Sequence, residues 1–322
     1  MAAPVHVSRA NQHLFPVRDY DLAATLTSGQ AFRWRLHDDW WEGIVANRWV
    51  RLRQSDQGII AQTAIETRDW QWLANYLQTG TDLGSVLLSF PEDEPMRAAV
   101  AACRGLRLLR QDPWECLASF ILSSTKQIVQ IQQIVSALCA RFGERLPLPA
   151  GHEPVFSFPT ADCLAACTEP DLRACKMGFR APNLLRTAKM IAGGEVNLAA
   201  LPSRSVEEAR VELIRLPGVG QKIANCVLLF AYGFQQAFPV DVWVMKALRQ
   251  LYFPKRRVDP KRLARFIATH FGANAGYAQQ YLFHYMRTEK ARASEDARGP
   301  RKALCPTNAL GKTSANDCRR ND

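Results

Sequence analysis

The chain has 322 residues, 48% of them hydrophobic, nine cysteines and a formal net charge of +11 with a pI near 9.4. No apolar run approaches the ~18 residues of a membrane span, and the basic and acidic residues near the N-terminus leave no signal-peptide core. An intracellular protein is therefore expected, cytoplasmic or nucleoid-associated in a bacterium and nuclear in a eukaryote, with a polyanionic partner such as nucleic acid. The cysteines are odd in number and scattered through helical stretches, which reads as reduced thiols. Cys163 and Cys167 are the nearest pair and no second pair has metal-site spacing, so neither zinc nor an iron–sulfur cluster is expected.

Residues 1–98 alternate apolar with polar positions over short runs: Ala31 to Leu36, Trp40 to Val45, Trp49 to Arg53 and Gly58 to Thr63. Turn-forming residues separate them at Asp38-Asp39, Asn47-Arg48 and Asp56-Gln-Gly58. That period predicts an antiparallel meander with one wet face, followed by a helix over Thr67 to Gln78. From Glu92 to Arg287 the pattern is nearly all helical. The predicted helices are Pro113 to Leu122, Ile128 to Phe142, Ala161 to Cys175, Pro182 to Ala192, Val206 to Arg215, Lys222 to Ala231, Val242 to Tyr252, Pro260 to Thr269 and Ala275 to Arg287. The chain thus reads as α+β, with an N-terminal antiparallel β domain over 1–98 and a helical region over 99–287. Residues 288–322 are basic and aperiodic, expected to be a disordered tail.

Between the helices Val206 to Arg215 and Lys222 to Ala231 lies Leu216-Pro-Gly-Val-Gly-Gln-Lys222, and nineteen residues after Lys222 comes Asp241 in Pro239-Val-Asp241. Pro217 ends the first helix, and Gly218 to Gly220 form the turn with Val219 at its tip. The first N–H groups of the next helix have no intrahelical partner and suit a phosphate. Lys222 and Cys226 are four apart on that helix and share one wall. Such hairpins also serve as plain DNA-backbone grips, with the lysine a phosphate contact, and Asp241 would serve as an N-cap of the following helix. The lysine and aspartate together resemble the helix-hairpin-helix DNA glycosylases that use the lysine as nucleophile.

Four ordered segments extend the likeness from about Leu26 to Arg287: Ser28-Gly-Gln-Ala-Phe-Arg-Trp34, Arg110-Gln-Asp-Pro-Trp-Glu-Cys116, Leu216 to Cys226 and Pro239 to Asp241. Together they resemble the 8-oxoguanine DNA glycosylase/AP lyase family of the helix-hairpin-helix (HhH-GPD) superfamily. The resemblance implies a TATA-binding-protein-like N-terminal domain before a helical glycosylase body, and a monomer acting on double-stranded DNA that contains oxidised guanine. Lys222 would attack the sugar C1′, release the base and form a Schiff base, with β-elimination following and no cofactor. Asp241 would stabilise the positive charge that develops on the sugar.

A base inside a duplex must be flipped out before it is read. By the resemblance, Gln279 and Phe283, one turn apart, would read and stack the base, with Cys226 opposite and Pro239 lining the pocket. The carbonyl of Gly29 would accept the N7–H that distinguishes 8-oxoguanine from guanine. Taken without the family, Phe283 reads as ordinary core and Gly29 as a turn residue before the first strand. Phe179 would fill the gap left in the helix and Arg180 would address the unpaired cytosine. Thr125 and Gln130 fall at DNA-contacting positions where the family carries an Asn-rich run and an Arg, and Trp243 replaces a phosphate-contacting His. These departures predict a relaxed preference for cytosine opposite the lesion. Two alternatives remain at this point, a glycosylase for another damaged base and a non-catalytic DNA-binding protein.

Overall fold

The computed structural model describes residues 11–124, 126–254 and 259–296, with side chains as far as 289. Thr125 and the tail from 297 therefore lie outside the described residues. Contacts group the chain to Arg287 as one unit and the residues from Thr288 as a second.

Five strands build one antiparallel sheet: β1 Gln12–Phe15, β2 Arg35–His37, β3 Trp40–Val45, β4 Arg48–Ser55 and β5 Gly58–Thr63, in the order β1-β5-β4-β3-β2. Ala46 and Asn47 both take positive φ, 47° and 57°, which makes the tight turn from β3 to β4. Gly58 is required by close approach, because a Cβ there would lie 2.0 Å from the Phe15 carbonyl oxygen on β1. Val50, Leu52, Ile59 and Ala61 form the sheet's buried face and pack with Leu73 and Leu77. On the other face Arg51 and Arg53 sit 4.7 and 4.6 Å over the Trp40 ring, keeping their charges at the surface. The expected meander is present, with one added strand and one shortened. β1 was not predicted, being only four residues long, and β2 starts at Arg35 rather than Ala31. Phe32 and Trp34 are spent instead on anchoring: Phe32 meets Phe120 edge-on at 5.5 Å, and the Trp34 indole donates to Tyr76 Oη at 2.8 Å.

Helices follow in the order α1 Leu22–Thr27, α2 Gln71–Leu77, α3 Leu83–Leu88, α4 Glu94–Cys103, α5 Pro113–Leu122, α6 Ile128–Phe142 and α7 Ala161–Ala165. Then come α8 Glu169–Arg173, α9 Ala181–Ala192, α10 Val206–Ile214, α11 Gln221–Val227, α12 Val242–Ala247, α13 Pro260–His270 and α14 Ala275–Asp296. Most starts have a local cause. Asp112 accepts from the Glu115 N–H ahead of Pro113, and Ser205 and Glu208 cap α10 reciprocally. The single helix expected over Ala161 to Cys175 is two: α7 stops at Ala165, and Thr168 starts the next with a reciprocal cap from Asp171. Leu117, Leu138, Leu184, Leu213, Ala224 and Leu282, from six helices, are fully buried in one core. No helix among the described residues is long and apolar enough to cross a membrane.

Candidate active site

Helix α9 fixes the hairpin between α10 and α11. Thr187 Oγ1 on α9 donates to the Pro217 carbonyl at 3.1 Å, and Asn183 packs where a side chain on Gly218 would stand, 2.9 Å from that Cβ position. Gly218 has φ +81°, so the turn requires a residue without a Cβ on both counts. Val219 is buried and its N–H closes back on the Leu216 carbonyl at 3.1 Å, whereas Gly218 and Gly220 are exposed. From this fixed start α11 carries Lys222 and Cys226 to one wall of a cavity of about 390 Å³.

Within that cavity Lys222 Nζ donates to Ser123 Oγ at 3.2 Å and lies 5.0 Å from the centre of the Phe120 ring. Cys226 is 3% exposed; burial pushes its thiol up to about 11, with the Lys222 charge acting the other way, so the sulfur stays neutral at physiological pH. Asp241 is indeed the N-cap of α12, its Oδ1 accepting from the N–H groups of Trp243 and Val244 at 2.9 and 2.8 Å. It also lines the cavity beside Pro239. Capping uses a single carboxylate oxygen, so it does not compete with the role expected of Asp241 from the sequence.

Helix α14 supplies another wall. Gln279 is 3% exposed, lines the cavity, and its Oε1 has no hydrogen-bond partner among the described residues. Phe283, one turn later, is half-buried and closes the same space. Gly29 faces these residues: a Cβ on it would meet Ile128 Cδ1 at 3.1 Å and Phe283 Cε1 at 3.3 Å, and its φ is +76°.

The turn that presents Gly29 is held by its neighbour. Gln30 is fully buried, its amide nitrogen donating to the Thr25 and Arg107 carbonyls at 2.9 and 2.8 Å and its amide oxygen accepting from Leu109 N–H at 2.8 Å. Gln280 donates to the Ser28 carbonyl at 2.9 Å, and Arg287, 5.4 Å from the Phe283 ring centre, donates to the Thr27 carbonyl at 3.2 Å. The Gly29 backbone is therefore set by contacts from α14 and from the strand-like segment after α4.

All seven residues predicted for catalysis and base binding, Lys222, Asp241, Gly29, Cys226, Pro239, Gln279 and Phe283, line this one cavity. The described DNA-contact candidates, Phe179, Arg180, Gly218, Val219, Gly220 and Gln130, are not among the lining residues. Phe179 is 62% exposed, as a wedge needs. Arg180 is 3% exposed and donates to the carbonyls of Ser124 and, at 3.3 Å, of Met177, so reaching a base requires those bonds to be exchanged. Gln130 is exposed, and its Oε1 accepts from Gln127 N–H at the start of α6. Sequence reading assigned no role to Ser123, Phe120, Ile128 or Arg287, which also line the cavity, as does Lys126. Phe120 and Ser123, three apart at the end of α5, carried a helical-face signal; Arg287, two turns beyond Gln279 on α14, carried the same one. Among the described residues no cluster of three His, Cys, Asp or Glu side chains could hold a metal, and the seven described cysteines are free.

Residues 13–117 match the family model of the 8-oxoguanine DNA glycosylase N-terminal domain, and residues 118–271 match that of the HhH-GPD superfamily base excision DNA repair protein. The N-glycosylase/DNA lyase OGG1 of Arabidopsis thaliana is 30% identical over 291 residues, covering 84% of this chain and 79% of the relative. The N-glycosylase/DNA lyase of Saccharomyces cerevisiae is 29% identical over 268 residues, covering 72% and 68%. Among solved structures, the Clostridium acetobutylicum 8-oxoguanine glycosylase/lyase, in complex with double-stranded DNA containing cytosine opposite 8-oxoguanine, superposes with a TM-score of 0.79. It shares 33% identity and covers 84% of this chain and 93% of that one. The chain belongs to the 8-oxoguanine DNA glycosylase family and is a DNA N-glycosylase/lyase of the helix-hairpin-helix base-excision repair superfamily.

Proposed function

We propose that this protein takes 8-oxoguanine out of duplex DNA into the cavity and excises it, with Lys222 as nucleophile. The observation that carries the reading is Gln279. A buried amide oxygen without a partner costs free energy, and it is retained where a ligand supplies the missing donor. The Watson–Crick edge of a guanine has such donors, Phe283 offers a ring to stack on, and the Gly29 carbonyl accepts the N7–H that guanine lacks. A site that hydrogen-bonds one substrate group rejects the analogue without it by about 10⁴-fold.

In the chemistry that follows, the neutral Lys222 amine attacks C1′, and the C1′–N9 bond breaks with its electron pair leaving on the base. Asp241 stabilises the positive charge on the sugar as that bond opens. Loss of a proton from nitrogen and opening of the sugar ring give the Schiff base. Removal of a C2′ proton then expels the 3′ phosphate and cuts the strand; water returns the amine. Wild type and Lys222→Gln, incubated with an 8-oxoguanine:C duplex with and without borohydride, test this. Cleavage and cross-linking are expected from wild type alone. Trapping of an abasic-site duplex without action on 8-oxoguanine would overturn the base assignment, and cleavage by Lys222→Gln at the wild-type rate would overturn the nucleophile.

A relaxed choice of opposite base belongs to the same reading. Gln130 is engaged in starting α6, and Arg180 is turned inward on two carbonyls, so neither is held ready for a cytosine. Similar excision rates opposite C, A, G and T are expected; a steep preference for C refutes it.

A further inference from the structure

The cavity is unevenly charged. Its lining side chains include three cations, Lys126, Lys222 and Arg287, against one carboxylate, Asp241. Two of the cations are committed, Lys222 to Ser123 and Arg287 to the Thr27 carbonyl. Lys126 is half-buried on the wall and pairs with no carboxylate of the described residues. It stands two residues before α6, a helix of 15 residues with no acidic residue in its first turn. The first intrahelical bond of α6 runs from Ile131 N–H to the Gln127 carbonyl, so the N–H groups of Ile128 and Val129 precede the ladder. Both residues line the cavity, and Val129 is 60% exposed, which marks this turn as rim and not floor.

An ammonium with no counter-ion among the described residues, next to the positive end of a long helix, on the wet rim of a cavity whose floor holds the nucleophile, fits an anion that stays partly hydrated. A nucleotide brought to Lys222 carries a phosphodiester on each side of its sugar. Lys126 is three residues beyond Ser123, which holds the Lys222 amine, so the rim cation and the reacting amine are served by one short segment. We propose that Lys126 and the first turn of α6 bind one backbone phosphate flanking the nucleotide that enters the cavity. This rests on the reading that the cavity receives an extruded nucleotide; it does not depend on which base that nucleotide carries.

The test uses the full chain and a duplex with a tetrahydrofuran abasic analogue, which has no base to recognise. A neutral methylphosphonate replaces the flanking phosphates one at a time. Lys126→Gln is expected to weaken binding of the all-phosphate duplex roughly tenfold, as loss of a charge-assisted bond does. The slope of log affinity against log salt should become shallower by about 0.9, one phosphate contact. Lys126→Arg should retain wild-type behaviour. At one flanking position the methylphosphonate should weaken wild type by a similar factor and weaken Lys126→Gln no further.

Losses that multiply in full at every flanking position overturn the proposal, as does indifference of wild type to all of them. If Lys126→Gln binds like wild type but no longer traps an abasic-site duplex with borohydride, the amine acts in the chemistry and the phosphate site is refuted. Inactivity toward 8-oxoguanine with the binding coupling intact would sink the base assignment alone.

Discussion

Gln279→Leu separates a residue kept for binding from one kept for folding. The side chain is 3% exposed with an unpaired Oε1, so the folded protein carries a desolvation cost of about 1–3 kcal/mol that the unfolded chain, bonded to water, does not. Leucine has similar volume and no polar atom, so the variant should be more stable by up to that amount. At about 2–4 °C per kcal/mol for a domain of this size, the melting temperature should rise by several degrees. The same change removes the two bonds an amide can make to a guanine edge, at about 1.5 kcal/mol each, so excision of 8-oxoguanine should fall at least ~100-fold. Cleavage of a preformed abasic site, where no base is read, should persist. Differential scanning calorimetry and single-turnover excision measure the two sides. A melting temperature lowered by several degrees, or excision within a fewfold of wild type, would refute the reasoning.

Gly29→Ala places a Cβ at φ +76° and 3.1 Å from Ile128 Cδ1, costing about 1–2 kcal/mol of backbone strain and narrowing the cavity; base excision should drop at least tenfold while abasic-site trapping continues. Unchanged kinetics on 8-oxoguanine would show that the turn is merely a connection. Asp241→Asn keeps a good N-cap, so urea unfolding should move by less than about 1 kcal/mol, whereas excision should fall ~100-fold or more; a large stability loss with intact excision would assign the residue to the fold. Burial, and then the Arg287 charge, push His284 down to about 4 from 6.5. Its folded value is depressed, so the contribution is complete above pH 6.5 and is lost as pH falls towards 4, roughly 3 kcal/mol in all. Unfolding of wild type and His284→Asn between pH 7.5 and 4.5 should diverge by about 2.5 kcal/mol, most of that amount, and parallel profiles would contradict it.

Local chemistry made part of this molecule readable. The bounds of α5 and α6 follow from Asp112-Pro113 and from unbroken 3.6-residue periodicity, Lys222 and Cys226 share the helix that follows the glycine hairpin, and Asp241 is the N-cap of α12. Gln279 and Phe283 share a helical face. What escaped was set by distant partners. Strand β1 has four residues and exists because β5 pairs with it from Phe15 to Gln12. Nothing local to Ser123 says that its hydroxyl will meet an amine 99 residues away, and nothing near Thr27 says that Arg287 will hold its carbonyl. The buried state of Arg180 likewise depends on the Ser124 carbonyl, 56 residues earlier in the chain.

The order of these constraints explains how an open site is kept in shape. The groups proposed to face a substrate carry unsatisfied valences: among the described residues Gln279 Oε1 has no partner, and Lys222 has only neutral ones. Left to relax, such groups would fold back onto the protein. The residues directly behind them are instead fully bonded. Gln30 fills its amide on both sides and so fixes the turn at Gly29. A satisfied shell of this kind confines an unsatisfied one to a single geometry, so that the cost of desolvation is met at folding and not at each encounter with DNA. On this argument the residues flanking the motif positions should be no more replaceable than the motif positions themselves, because moving Gly29 by way of Gln30 displaces the same carbonyl that substitution at Gly29 would displace.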